Sequence, residues 1–206
     1  MSNLSIKLEA AKRAIAFPGF HSDDLLEIAL TDPCTLNEMA LSRAEQDRIK
    51  RKYRTLAFMG DALIDTILAD YLYGTGREFE REELDDYRQA IADRPSLTDF
   101  AIELGLPDVS SSWNRKNRKP PEAEPGTWGE MFEAVVGVLF LDADRNFDKV
   151  AQWLCARFIR NAVAVYEDED DNDYDLDDDD YDSTIITSED YAEMMGLSRS
   201  DGVSFT

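Results

Sequence analysis

The chain has 206 residues, 43% hydrophobic and 32% charged, with a formal net charge of −22. That is enough to bury one sizeable core, and roughly the last forty residues are too polar to add a second. Two cysteines, Cys34 and Cys155, exclude a disulfide framework and a cysteine-rich zinc set, and point to a reducing intracellular compartment, cytoplasmic or nuclear. The longest apolar run, residues 134–141, is too short to span a bilayer, and residues 1–17 lack a secretory pattern, so no membrane role is expected.

Helical periodicity runs along most of the chain. Residues 3–16 form a first helix, and Ser22-Asp23-Asp24 caps a second that carries Leu25, Leu26, Ile28, Ala29 and Leu30 and stops near Asp32-Pro33. The lone histidine, His21, lies in a loop-like stretch ahead of that helix; it reads as an entry residue and argues against any mechanism built on a histidine base. Residues 42–73 read as one or two helices, basic first and apolar later, broken at Gly74-Thr75-Gly76. Residues 80–92 and 96–104 follow, the second ending at Gly105 with Pro107 just beyond. Residues 110–126 carry Pro120, Pro121 and Pro125 without periodicity and read as a polar loop, after which helices resume over 127–142 and 147–165. No period-two alternation persists, so the expected fold is all-α, without internal repeats.

The net charge divides unevenly. Between Glu167 and Asp182 stand twelve acids and no base, leaving the body through Tyr166 at about −7. The expected organisation is therefore a helical domain over 1–165 and an acidic, largely disordered tail over 166–206, kept unfolded by like-charge repulsion and scarce apolar residues. Residues 188–196 within it can form a short capped helix ending at Gly196, a motif for a protein partner.

Two segments carry acids inside apolar helical runs: Asp61 and Asp65 among Leu56, Phe58, Met59, Leu63, Ile64, Ile67 and Leu68, and Glu130 and Glu133 among Met131, Phe132, Val135, Val136 and Leu139. A carboxylate taken out of water calls for a counter-charge, and oxygen-only ligands suit Mg2+ or Mn2+. Glu130 and Glu133 share a helix face, as do Asp61 and Asp65. Packing of the two helices would make Asp61, Glu130 and Glu133 one metal site; in a chain this charged, a solvated acidic face is the competing reading.

Two basic clusters sit just upstream of these acids. Arg48, Lys50, Arg51, Lys52 and Arg54 precede the Asp61 helix, and Arg115, Lys116, Arg118 and Lys119 precede the Glu130 helix. Such placement fits phosphate contacts flanking a metal centre, and equally a solvated helix end and a disordered loop. Trp113, beside the second cluster, reads as a loop anchor or a base-stacking residue.

Residues 56–64, Leu-Ala-Phe-Met-Gly-Asp-Ala-Leu-Ile, resemble the ribonuclease III signature Leu-Glu-Phe-Leu-Gly-Asp-Ala-Val-Leu. Residues 129–142 are similar to the family's later Ala-Asp-x-Phe-Glu-Ala-Leu-Ile-Gly motif. Residues 25–31 and 83–106 resemble its intervening landmarks, in order, over about residues 5–160. The resemblance implies an all-helical endonuclease domain, usually a homodimer whose valley takes double-stranded or hairpin RNA. Asp61 then matches the Gly-Asp metal ligand, Glu133 the Phe-Glu ligand, and Glu130 the usual Asp, all catalytic through Mg2+ or Mn2+.

Ala57 departs from the signature's first carboxylate, as it also does in the Mini-III branch, and Tyr53-Arg54-Thr55 replaces Asn-Glu-Arg, which helps tie the dimer. The expected function is a metal-dependent endoribonuclease in RNA processing, with a weakened or inactive RNA-binding, ribonucleoprotein component as the alternative. Asp65 is expected on the helix surface or in a dimer contact. The acidic tail is a solubilising appendage or a competitor for the body's RNA surface.

Overall fold

Local sequence sets the helices, and glycines decide how two of them meet. The computed structural model describes residues 3–111 and 120–173. In chain order these form α1 (Asn3–Ile15), α2 (Asp23–Ala29), α3 (Arg43–Gly74), α4 (Arg81–Ala92), α5 (Arg94–Glu103), α6 (Leu106–Val109), α7 (Pro125–Asp142), α8 (Phe147–Leu154) and α9 (Arg160–Asp173). Single 3-10 turns occupy Pro33–Glu38 and Pro121–Ala123, and a π turn over Cys155–Ile159 joins α8 to α9. The described residues contain no strand, and the all-α expectation stands.

Residues 42–73 resolve into one long helix. Ser42 opens it with a reciprocal cap: the Glu45 amide donates to the Ser42 hydroxyl and the Ser42 amide donates to the Glu45 carboxylate. Ser22 stands at the N-cap of α2 as expected, yet its side chain makes no capping bond. Instead the amides of His21 and Ser22 donate to Asp142 Oδ1 at 3.0 and 2.7 Å, pinning the start of α2 to the end of α7.

The turn at Pro33–Glu38 and the short α6 were not legible as helix. In each, proline occupies the first helical turn, where its missing N–H costs nothing, so it starts an element rather than ending one. At the other end, α9 takes in the first acids of the acidic run. Phe158, Ile159 and Val163 anchor it in the core, and Glu167 accepts a 2.7 Å hydrogen bond from the Tyr87 hydroxyl, so propagation through Asp173 starts from a packed nucleus. Residues 174–206, including the 188–196 motif, lie outside the described residues.

The core is built around α7. Trp128, Met131, Phe132, Ala134, Val135, Val136, Val138 and Leu139 are all fully buried, with α3 and α5 packed along it. A helix apolar on nearly every side belongs inside a bundle. Phe132 meets Phe158 edge-on with ring centroids 5.3 Å apart and tilts against Phe100 at 5.6 Å, tying α7 to α5 and to the π turn. The free carbonyls ending α1 are taken by Trp153 Nε1 and by Arg157, each donating to Ile15 O, at 2.8 and 3.0 Å.

The crossing of α3 and α7 fixes everything that follows. A Cβ on Gly60 would collide with the backbone carbonyl of Glu133, and one on Gly137 would collide with that of Leu56. Leu56 faces Gly137 while Gly60, one turn later, faces Glu133, one turn earlier, so the helices run antiparallel in backbone contact. This crossing lays the residue after Gly60, which is Asp61, beside Glu133.

Candidate active site

Asp61, Glu130 and Glu133 line one cavity of about 650 Å3, together with Arg54, Ala57 and Phe58 of α3 and Asp85, Arg88, Gln89 and Ala92 of α4. Asp93 and Arg94, at the α4–α5 junction, complete the wall. Two helices thus deliver the three acids to a common space, although Asp61 and Glu130 stand 69 positions apart in sequence. The acids feel one another: burial first, then the charges of Asp61 and Glu130, push the Glu133 carboxyl up to about 7, while Arg94 acts in the opposite sense. A group in that state has too little positive charge around it.

The wall differs from expectation in several places. Asp61 is half-buried rather than buried, because α3 packs only one side against α7 and leaves Phe58 77% exposed on the other. Ala57 is 3% exposed, and its methyl stands on the cavity wall where the family signature carries an acid. Tyr53, 1% exposed, lies within reach of the same charges; burial, then Glu130, Asp32 and Glu133, hold its hydroxyl neutral, well above the usual tyrosine range.

Asp65 sits on the surface side of α3, where Arg88 Nε donates to its Oδ2 at 2.8 Å, tying α4 to α3; its Oδ1 is buried without a hydrogen-bond partner. Of the first basic cluster, only Arg54 reaches the acidic cavity. Arg48 lines a separate groove with Lys7, Glu27, Met39 and Ile49. Lys50, Arg51 and Lys52 lie on α3 upstream of the cavity, which none of them lines. Trp113, Arg115, Lys116, Arg118 and Lys119 fall outside the described residues.

Sequence reasoning did not single out Asp85, Arg88, Gln89 or Arg94. Asp85, Arg88, Gln89 and Ala92 recur at helical spacing along one face of α4. That stripe was visible in the sequence, but nothing local said which helix it would face.

Residues 54–144 match the ribonuclease III domain, a span containing every residue that lines the cavity. Over this span the chain is similar to the ribonuclease III family. A ribonuclease 3 of Nostoc sp. is 30% identical over 131 residues, covering 64% of this chain and 54% of that protein. A ribonuclease 3 of Oceanobacillus iheyensis is 29% identical over 135 residues, 66% of this chain and 56% of that protein. The chain spans little more than half the length of these curated relatives. The nuclease domain of ribonuclease III from Campylobacter jejuni, solved in work on flexibility in its dimer-forming region, shares the fold. Its TM-score is 0.57 at 21% identity, covering 75% of this chain and 97% of that one.

The ribonuclease III family generally uses a divalent metal. The donor set of this domain fits such an ion in kind: only carboxylate oxygens, in one cavity, with their charge uncompensated at Glu133. As placed, no three acidic, histidine or cysteine side chains among the described residues are gathered tightly enough to hold an ion. With Ala57 in the wall, the cavity offers fewer donors than the family signature.

Proposed function

We propose that this chain is a metal-dependent endoribonuclease that cuts double-stranded or hairpin RNA during RNA processing. The observation that carries this reading is the shared cavity of Asp61, Glu130 and Glu133, with the Glu133 carboxyl pushed up by burial and then by the other two acids. Asp61 and Glu133, brought together by the glycine crossing, would hold Mg2+ or Mn2+, and Glu130, one turn before Glu133, would bind it or its water. The ion supplies a water of lowered pKa and a Lewis acid for the phosphodiester.

Arg54 lies on the cavity wall, and Lys50 and Arg51 lie one turn before it on the same helix, so a stripe of cations leads along α3 towards the acids. This supports contacts from Arg48, Lys50, Arg51 and Lys52 to the phosphates flanking the cut, with Arg115, Lys116, Arg118 and Lys119 as further candidates. Phe58, exposed beside the cavity, supports assembly as a homodimer. The organisation proposed is one ribonuclease III domain over 1–165 and an acidic segment over 166–206 that serves a protein partner. A content of only two cysteines favours an intracellular setting.

A second reading, an RNA-binding or ribonucleoprotein component with weak or lost cleavage, is favoured by the Ala57 methyl in the cavity wall. One experiment separates the two: purified protein with a long RNA duplex and Mg2+ or Mn2+, beside Asp61→Asn and Glu133→Gln. The nuclease reading expects metal-dependent scission that falls about 100-fold or more in either variant. Duplex binding without scission in the unmodified chain establishes the second reading.

A further inference from the structure

The proposed nuclease site has an electrostatic difficulty of its own. Asp61, Asp85, Asp93, Glu130 and Glu133 all line the cavity, and an RNA phosphodiester entering it is itself an anion. Three arginines share the wall, and they are not equivalent. Arg88 is engaged by Asp65 at 2.8 Å. Arg54 projects from the exposed side of α3, a turn before Ala57. Arg94 opens α5 directly after Asp93, its guanidinium exposed and without an ion pair or hydrogen bond among the described residues.

The backbone of Arg94 is held firmly. A Cβ on Gly129 would stand 3.1 Å from the Arg94 carbonyl oxygen and 3.5 Å from its Cα, so the missing side chain lets α7 sit tightly against this backbone. The same carbonyl accepts a 2.7 Å hydrogen bond from Thr98 Oγ1, and Asp93 caps the helix by accepting from the Ser96 amide at 2.8 Å. The side chain has been given room as well: a Cβ on Gly126 would sit 3.1 Å from Arg94 Nη1. Two glycines at the start of α7 thus seat one free guanidinium beside Glu130 and Glu133, and its charge reaches Glu133.

We propose that Arg94 is a catalytic phosphate clamp, its planar guanidinium gripping the two non-bridging oxygens of the phosphodiester that is cut. This rests on the nuclease reading above. Hydrolysis forms a bond from the water oxygen to phosphorus and breaks one P–O ester bond. The leaving oxygen ends as a hydroxyl, and the other proton of the water is lost to solvent. Negative charge on the phosphoryl group must be met throughout, and a guanidinium does so with two parallel N–H donors. The clamp offsets the acids for the incoming phosphate and supplies positive charge in a site that Ala57 leaves short of one metal donor.

The test compares the full chain with Arg94→Gln and Arg94→Lys on a long labelled RNA duplex, with circular dichroism melts to confirm folding. With Mg2+ or Mn2+, Arg94→Gln is expected to lower kcat about 100-fold, and Arg94→Lys, which keeps the charge and loses the fork, at least about tenfold. In EDTA, where nothing is cut, fluorescence anisotropy against salt is expected to show the log K slope shrinking by about 0.9 in Arg94→Gln, the loss of one phosphate contact. If the unmodified chain cuts and Arg94→Gln matches it in kcat and slope, the clamp is overturned while the nuclease stands. If the unmodified chain binds without cutting, the nuclease reading and the catalytic role fall together, and the slope alone reports whether Arg94 touches phosphate. Should Arg94→Gln melt early, Arg94→Lys carries the test, and a wild-type kcat for it overturns the clamp.

Discussion

Ala57 is one methyl on a wall otherwise rich in ionised groups, and under the nuclease proposal it leaves the cation one carboxylate fewer. Placing an acid there has space available, since the cavity measures about 650 Å3. Ala57→Glu is therefore expected to lower the Mg2+ or Mn2+ concentration needed for half-maximal cleavage by about tenfold, a change near 1.4 kcal/mol, read by titrating metal against cleavage rate. An unchanged metal requirement would show that position 57 does not reach the ion.

Glu133 gives a second prediction at the same scale. Burial, then the charges of Asp61 and Glu130, push its carboxyl up to about 7 in the folded chain, against 4.5 for an ordinary glutamate. Between those values the folded state holds more protons than the unfolded state, so stability is fully present below about pH 4.5 and is lost as pH rises through 7. The loss attributable to this one group is on the order of 2 kcal/mol, reduced because Glu133 is only part-buried. Urea melts in EDTA between pH 5 and 8 should show the decline in the unmodified chain and a flatter profile in Glu133→Gln. Parallel profiles would mean that Glu133 is not crowded by Asp61 and Glu130.

Among elements, the antiparallel crossing of α3 and α7 carries the site. In an ordinary exposed helix, glycine to alanine gains up to about 1 kcal/mol. Here a methyl at position 60 or 137 meets backbone of the facing helix, which cannot rotate away. Gly60→Ala and Gly137→Ala are each expected to destabilise by about 2 kcal/mol or more by urea melts. They should also depress cleavage, because parting the helices parts Asp61 from Glu133. A neutral or stabilising result would show that the helices can move apart freely.

The same scale shows why the sequence under-read α4 and α5. Their apolar residues, Tyr87, Ile91, Leu97 and Ala101, are buried as a helical pattern demands. The Asp85–Arg88–Gln89 stripe and Arg94 gained significance only when these helices were laid beside the acids.

For the molecule as a whole, Phe58 is the exposed aromatic on the face of α3 that also carries the cavity. If it seats in a second copy, Phe58→Asp should shift sedimentation from dimer to monomer at micromolar concentration while leaving the melt within about 0.5 kcal/mol, as expected for an exposed position. A chain that sediments as a monomer before substitution would end the homodimer proposal. The long α3 makes this face: one flank packs on α7, and the other is left with Phe58, Asp61 and Arg54 towards solvent or partner.

Most helix positions and the all-α class were legible in the sequence alone, as were the acids Asp61, Glu130 and Glu133 as candidates for one shared space. Periodicity, caps and short motifs act over a few residues, where covalent geometry couples neighbours directly. The failures were local as well. Prolines that begin helices read as breaks at Pro33 and Pro107. The tertiary structure alone decided that Asp61 meets Glu133, that Arg48 turns to another groove while Arg94 joins the acids, and that Asp61 and Phe58 stay accessible. Those outcomes depend on which helix flanks come close enough for backbones to touch. That distance is set by missing side chains at Gly60, Gly129 and Gly137, whose partners lie tens of residues away and leave no mark on the local pattern.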